Sequence, residues 1–155
     1  MTTRRTFLVL AAGAAAAPAL AQLPPNVAAL RKAALEEAVR KVTGGVAPRE
    51  GRVKLDLSSL IDNGNSVPLT VAVESPMTPD DHVKGIYLFT EKNPQPNVIW
   101  AQLGPRCGRA TLSTRARIAD TGTVIAVAQL SDGSFWSDQK SVVVTLSACL
   151  EDGLI

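Results

Sequence analysis

The chain has 155 residues, of which 46% are hydrophobic and 19% charged, enough for one domain and hardly for two. With one His, two Cys and six aromatic residues it lacks the means for a disulfide-rich scaffold or a His/Cys metal centre. At a formal charge of +2, with no strongly basic run and no long acidic tail, it shows neither a nucleic-acid footprint nor disorder as its organising theme.

Residues 1–21 read as an export signal. Arg4-Arg5 is followed by Thr6-Phe7-Leu8, an Ala-rich apolar run over 9–17, and a small-x-small site at Ala19-Leu20-Ala21. The run is too short to span a membrane and is broken by Gly13 and Pro18. The arginine pair points to the bacterial twin-arginine route; an ordinary secretory signal with a coincidental pair is the alternative, and both lead to the periplasm. Cleavage after Ala21 removes two arginines and no acid, leaving 14 basic against 14 acidic residues over the remaining 134. The mature chain then has no overall field to steer anions or membranes, and no membrane span.

Residues 22–45 hold one amphipathic helix. Asn26 is a plausible cap, Val27, Leu30, Ala34, Ala38 and Val42 recur at helical spacing, and Gly44-Gly45 ends the pattern. From Pro48 the period changes to two. Val53, Leu55 and Leu57 alternate with polar residues, as do Leu69, Val71 and Val73 after the Asn63-Gly64-Asn65 turn. Strand-like stretches follow at 84–90, 98–103, 109–118, 123–130 and 142–146, separated by Pro-rich or Gly/Asp-rich turns. About seven short strands after one helix predict a mainly β domain over 46–146, an immunoglobulin-like β-sandwich, without the Cys–Trp–Cys pattern of antibody domains. Residues 147–155 form a tail bearing Cys149.

Two stretches, Ile86-Tyr87-Leu88-Phe89 and Val124-Ile125-Ala126-Val127-Ala128, are apolar on both faces. Either the helix or a partner subunit must cover the outer side. Arg109, Arg115 and Arg117 share one strand face with Thr111 and Ser113, near Arg106. They form either a local anion-attracting patch or a solvated face that discourages edge pairing.

No catalytic constellation stands out. The single imidazole, His82, follows Asp80-Asp81 in a turn-like stretch, and neither a G-x-S-x-G elbow nor a phosphate loop is present. The expectation is therefore a non-enzyme without cofactor or metal. The two cysteines remain: Cys107, in a turn between Arg106 and Gly108-Arg109, and Cys149 past the last strand. In an exported protein an intramolecular Cys107–Cys149 disulfide is the default. The alternative is a free Cys149 on a chain end that can reach into other proteins.

Several motifs in order complete the reading: Asp62-Asn63-Gly64-Asn65-Ser66-Val67-Pro68, Glu74-Ser75-Pro76-Met77-Thr78, Glu91-Lys92-Asn93-Pro94-Gln95-Pro96-Asn97, Leu103-Gly104-Pro105-Arg106 and Ser131-Asp132-Gly133-Ser134-Phe135-Trp136. On these the mature chain resembles SoxY, the sulfur-carrier subunit of the periplasmic thiosulfate-oxidising Sox system. The resemblance implies a non-enzymatic carrier with an immunoglobulin-like fold, paired as a heterodimer with a second β-sandwich subunit, SoxZ. It also implies that Sox-type redox and hydrolytic enzymes act on sulfur held by a cysteine near the carboxyl end, a role that falls by position on Cys149. The tail departs from the family's Gly-Gly-Cys-Gly-Gly, because Ser147-Ala148 and Leu150-Glu151 flank the cysteine and Asp152 follows. Side chains restrict an arm that glycine would leave free, and the carboxylates disfavour a thiolate. A modified carrier, a paralogue in another sulfur or redox pathway, and a non-carrying interaction module all fit that tail.

Overall fold

Alternation of apolar and polar residues from Val53 onward turns one side of each strand inward, and the inward sides meet between two sheets. The structure, a computed structural model, describes residues 27–147. The export segment at 1–21, the cap residue Asn26 and Cys149 lie outside the described residues. Helix α1 (Val27–Thr43) is followed by β1 (Arg49–Glu50), β2 (Val53–Asp56), β3 (Leu60–Ile61), β4 (Val67–Val73), β5 (Val83–Thr90), β6 (Asn97–Gln102), β7 (Thr111–Ala116), β8 (Gly122–Leu130) and β9 (Phe135–Val144). Sheet A runs β1-β9-β8-β5-β6, with β3 also on β9; sheet B runs β2-β4-β7. This is the β-sandwich with one helix that the alternation predicts.

Between the sheets, Leu55 and Val71 of sheet B face Ile86, Leu88, Val124, Ala126, Leu130 and Val142 of sheet A, all buried. Removing a side chain such as Leu88 from so close-packed an interior typically costs about 2–5 kcal/mol.

Helix α1 lies on the outer face of sheet A. Leu35, Ala38, Val39 and Val42 pack on Tyr87, Phe89, Ile125, Val127 and Phe135. The double-sided apolar stretches are thus covered from within the chain, and Val127 is completely buried. The helix ends where expected: Gly44 takes φ +63°, and the Gly45 N–H reaches back 3.2 Å to the Arg40 carbonyl. Its buried stripe matches the one read from spacing only at Ala38 and Val42. Leu30 is 62% exposed and Val27 is exposed too, because the Phe89–Val127–Phe135 patch is short and only the C-terminal half of the helix meets it.

Strand β9 starts at Phe135, seven residues before the stretch expected at 142–146. Its Ser137-Asp138-Gln139-Lys140-Ser141 segment has no apolar alternation to reveal it, yet it pairs with β8 throughout. The inward Asp138 accepts the Leu55 N–H at 2.8 Å and Lys140 Nζ donates to the Leu57 carbonyl at 3.4 Å. Polar side chains of β9 thereby satisfy backbone groups at the free edge of β2. The two-residue strands β1 and β3, invisible to periodicity, run parallel to the two ends of β9 and seal its outer edge.

Candidate functional site: the root of the C-terminal arm

At one end of the sandwich the chain leaves β9 through Thr145-Leu146-Ser147, and each residue is tied down. The Thr145 N–H donates to the Ile61 carbonyl (2.9 Å), and its Oγ1 donates to the Asp62 carbonyl (3.0 Å). The Leu146 carbonyl accepts the Gly64 N–H at 2.9 Å, while the Gly64 carbonyl accepts from Ile118 N–H at 2.8 Å. Ser147 Oγ donates to Asp120 Oδ1 at 3.3 Å. One residue on, Thr121 Oγ1 accepts the Val144 N–H at 3.0 Å. The neighbouring loop is clamped by Asn93, whose Nδ2 donates to the Arg117 carbonyl and whose Oδ1 accepts the Ala119 N–H. The arm therefore has a fixed base as far as Ser147.

These anchoring roles are not visible in sequence. The Asn63-Gly64-Asn65 turn and Asp120-Thr121-Gly122 read there only as turns, and Asn93 as part of a Pro-rich loop. Which of them meets the chain end is a matter of tertiary closure.

Cys107 sits at the other end. It closes the single 3-10 turn Pro105–Cys107, is exposed, and its Sγ accepts the Gly104 N–H at 3.5 Å. The turn is held by Leu103 N–H to Lys84 carbonyl on one side, and by Val73 N–H to Ala110 carbonyl just beyond it. Strands β5 and β7 put about 20 Å between this end and the arm root. Two residues beyond Ser147 extend about 7 Å at most. A disulfide needs Cα atoms roughly 4–7 Å apart, so the intramolecular Cys107–Cys149 bridge raised from the sequence does not fit this frame.

The arginine face appears in part: Arg115 is exposed beside Thr111 and Ser113 on the outer face of sheet B, whereas Arg109 and Arg117, also exposed, lie beyond the two ends of β7. Arg115 Nη1 donates to Ser66 Oγ at 3.4 Å. His82 is partly buried rather than free in solvent. Its Nδ1 lies 3.2 Å from the Thr78 carbonyl and its backbone N–H donates to Ser131 Oγ, which makes it a loop clip. Among the described residues no three His, Cys, Asp or Glu side chains gather as metal ligands.

Near the Cys107 end, Arg49 and Arg52 lie 5.9 and 5.5 Å from the centroid of the Trp136 ring. Asp132 in the β8–β9 turn is held below the ordinary carboxylate range, first by the Ser134 side chain, then by the Ser134 N–H, with Arg52 and Arg49 adding attraction. A lowered folded value stabilises the protein above the unfolded pKa and ceases to do so as pH falls through the folded one. The carboxylate is almost fully solvated, so screening keeps the effect small. Asp132→Asn should lower the melting temperature by about 1 °C near neutrality and leave it unchanged at about pH 2, as read by circular dichroism.

A family model for the sulfur oxidation protein SoxY matches residues 39–149, so the match runs through the arm root to Cys149. The structure of the sulfur carrier protein SoxY from Chlorobium limicola f. thiosulfatophilum is 26% identical, with a TM-score of 0.62 over 75% of this chain and 96% of that one. Superoxide reductase (neelaredoxin) from Ignicoccus hospitalis is 14% identical (TM-score 0.53; 61% of this chain, 80% of that one). A putative superoxide reductase from Thermotoga maritima is 18% identical (TM-score 0.52; 63% and 87%). At such identities the reductases share the fold and nothing more. No curated protein matches the chain. A family match over most of the chain, running from the helix through both sheets and the arm root, makes this protein a member of the SoxY family of sulfur oxidation proteins.

Proposed function

We propose that this protein is a periplasmic sulfur carrier that holds sulfur intermediates covalently on Cys149 while other enzymes act on them. The observation that carries the reading is the family match ending on Cys149, two residues past an arm root pinned on both sides. A carrier needs a rigid base and a thiol that can be handed to several active sites, and a chain end just beyond a fixed strand meets both needs. Joining a thiolate to thiosulfate forms one S–S bond and releases two electrons. A partner redox enzyme must take those electrons, and hydrolytic partners would remove the oxidised sulfur, so the chain itself carries and does not catalyse. Its proposed structural partner is a SoxZ-like β-sandwich.

The test is a mass spectrum of the native protein after exposure to thiosulfate and a Sox-type redox enzyme. A thiosulfate adduct on Cys149 is expected; unmodified protein under conditions that load a glycine-armed SoxY would refute carriage.

Residence in the periplasm follows from reading residues 1–21 as a signal. Replacing Arg4 and Arg5 together with lysine should stop export, because the pair is read by guanidinium geometry and not by charge alone. Cell fractionation decides it, and undiminished periplasmic protein would rule out the twin-arginine route.

A further inference from the structure

The outer face of sheet A is only half covered. Helix α1 shields Phe89, Ile125, Val127 and Phe135, but not the part of the face that continues toward the arm root. There a hollow of about 450 Å³, mostly apolar in lining, lies between Ser59-Leu60, Thr121-Gly122-Thr123 and Val143. Leu60 and Val143 are cross-strand neighbours, 57% and 52% exposed. Large aliphatic side chains side by side in water need an occupant.

The arm starts at the rim of this hollow. Ser147 is bonded to Asp120, the residue before Thr121, and Thr121 is itself bonded to Val144. Beyond Ser147 the chain continues Ala148-Cys149-Leu150-Glu151-Asp152-Gly153-Leu154-Ile155. Eight residues extend to about 28 Å, ample to turn back by the roughly 13 Å that separate Ser147 from Val143 along the strand. Asp152-Gly153 is a turn-forming pair, and it divides Leu150 from Leu154 and Ile155. Three aliphatic side chains spaced around a turn are what a short apolar hollow can take.

We propose that residues 148–155 dock in this hollow, with Leu150, Leu154 and Ile155 against Leu60 and Val143, and so park Cys149 against the sheet. This gives the aliphatic tail a purpose that a glycine arm would not serve. The proposal rests on Cys149 as the carrying thiol only for its biological meaning; docking itself is read by chemistry that needs no cargo.

The experiment measures the alkylation rate of Cys149 by iodoacetamide in the mature chain with Cys107→Ser, against a free peptide of residues 145–155. The parent should react about tenfold more slowly than the peptide, which corresponds to a docked fraction near nine-tenths. The pair Leu60→Asn and Val143→Thr, and separately the pair Leu154→Asn and Ile155→Asn, should each restore the peptide's rate to within about twofold. All four changes are uncharged, so they leave the field at the thiol alone. Those in the hollow replace exposed side chains, so the melting curve should not move. A parent rate equal to the peptide's overturns the proposal. So does protection that survives the hollow variants, which would put the arm elsewhere, or protection that appears only when a second subunit is added, which would make the hollow a partner's seat. Thiosulfate loading followed on the same proteins separates failure of docking from failure of carriage.

Discussion

Cys149→Ser should abolish every sulfur adduct, whereas Cys107→Ser should leave loading intact. Reach makes the difference. Cys107 is exposed, but its turn is held to β5 on one side and followed at once by β7, so its sulfur cannot travel. Cys149 lies two residues past Ser147, the last described residue, whose side chain the fold ties to Asp120. A hydroxyl in place of the thiol forms no S–S bond, so the expected effect is total loss of the mass increment, not a reduced rate. The Cys107 variant is a mild surface change with a stability effect within about 0.5 kcal/mol. Peptide mapping of the loaded protein checks both variants. An adduct on Cys107, or one that persists in Cys149→Ser, would overturn the carrier assignment.

Val127→Asp should unfold the domain. The apolar pattern alone favours the helix as the cover of Val127 and Ile125; were a partner the cover instead, a charge there would uncouple two subunits while each stayed folded. The structure places Val127 beneath α1 with no exposure, packed with Leu35, Phe89 and Phe135. An unpaired carboxylate at such a site costs several kcal/mol, against a total stability of about 5–15 kcal/mol for a domain. Loss of the cooperative melting transition is the expected result. Trp100→Asp is the control, since Trp100 is 64% exposed on the edge strand β6 and its replacement should leave the melt intact. A folded Val127→Asp protein that failed only in partner binding would show that α1 does not cover this face in solution.

Much of the fold was legible because burial imposes a period. The alternation of Val53-Leu55-Leu57 and Leu69-Val71-Val73 marks inward faces that the two sheets do bury. The 3.6-residue spacing marks a helix that Gly44-Gly45 does end. What failed was the part of each element whose environment is set by distant residues. The polar start of β9 is a strand because β8 offers it a ladder and β2 offers backbone partners to Asp138 and Lys140. The helix face slipped toward Leu35 and Val39 because the surface it meets is short, and periodicity says which faces exist but not how long the opposing patch is.

The same division holds for the site. Composition, the order of turns, and a cysteine past the last strand are local in the chain, and together they identified the family and the candidate thiol. The anchoring of the arm by Gly64, Asp120 and Thr121 is non-local, since it joins residues 23 to 82 positions apart through hydrogen bonds that no spacing rule encodes. The separation of Cys107 from the arm root belongs to the same class. A sequence that permitted a disulfide becomes a frame that holds the two ends apart, because strand length and sheet direction are properties of the closed sandwich and not of either cysteine.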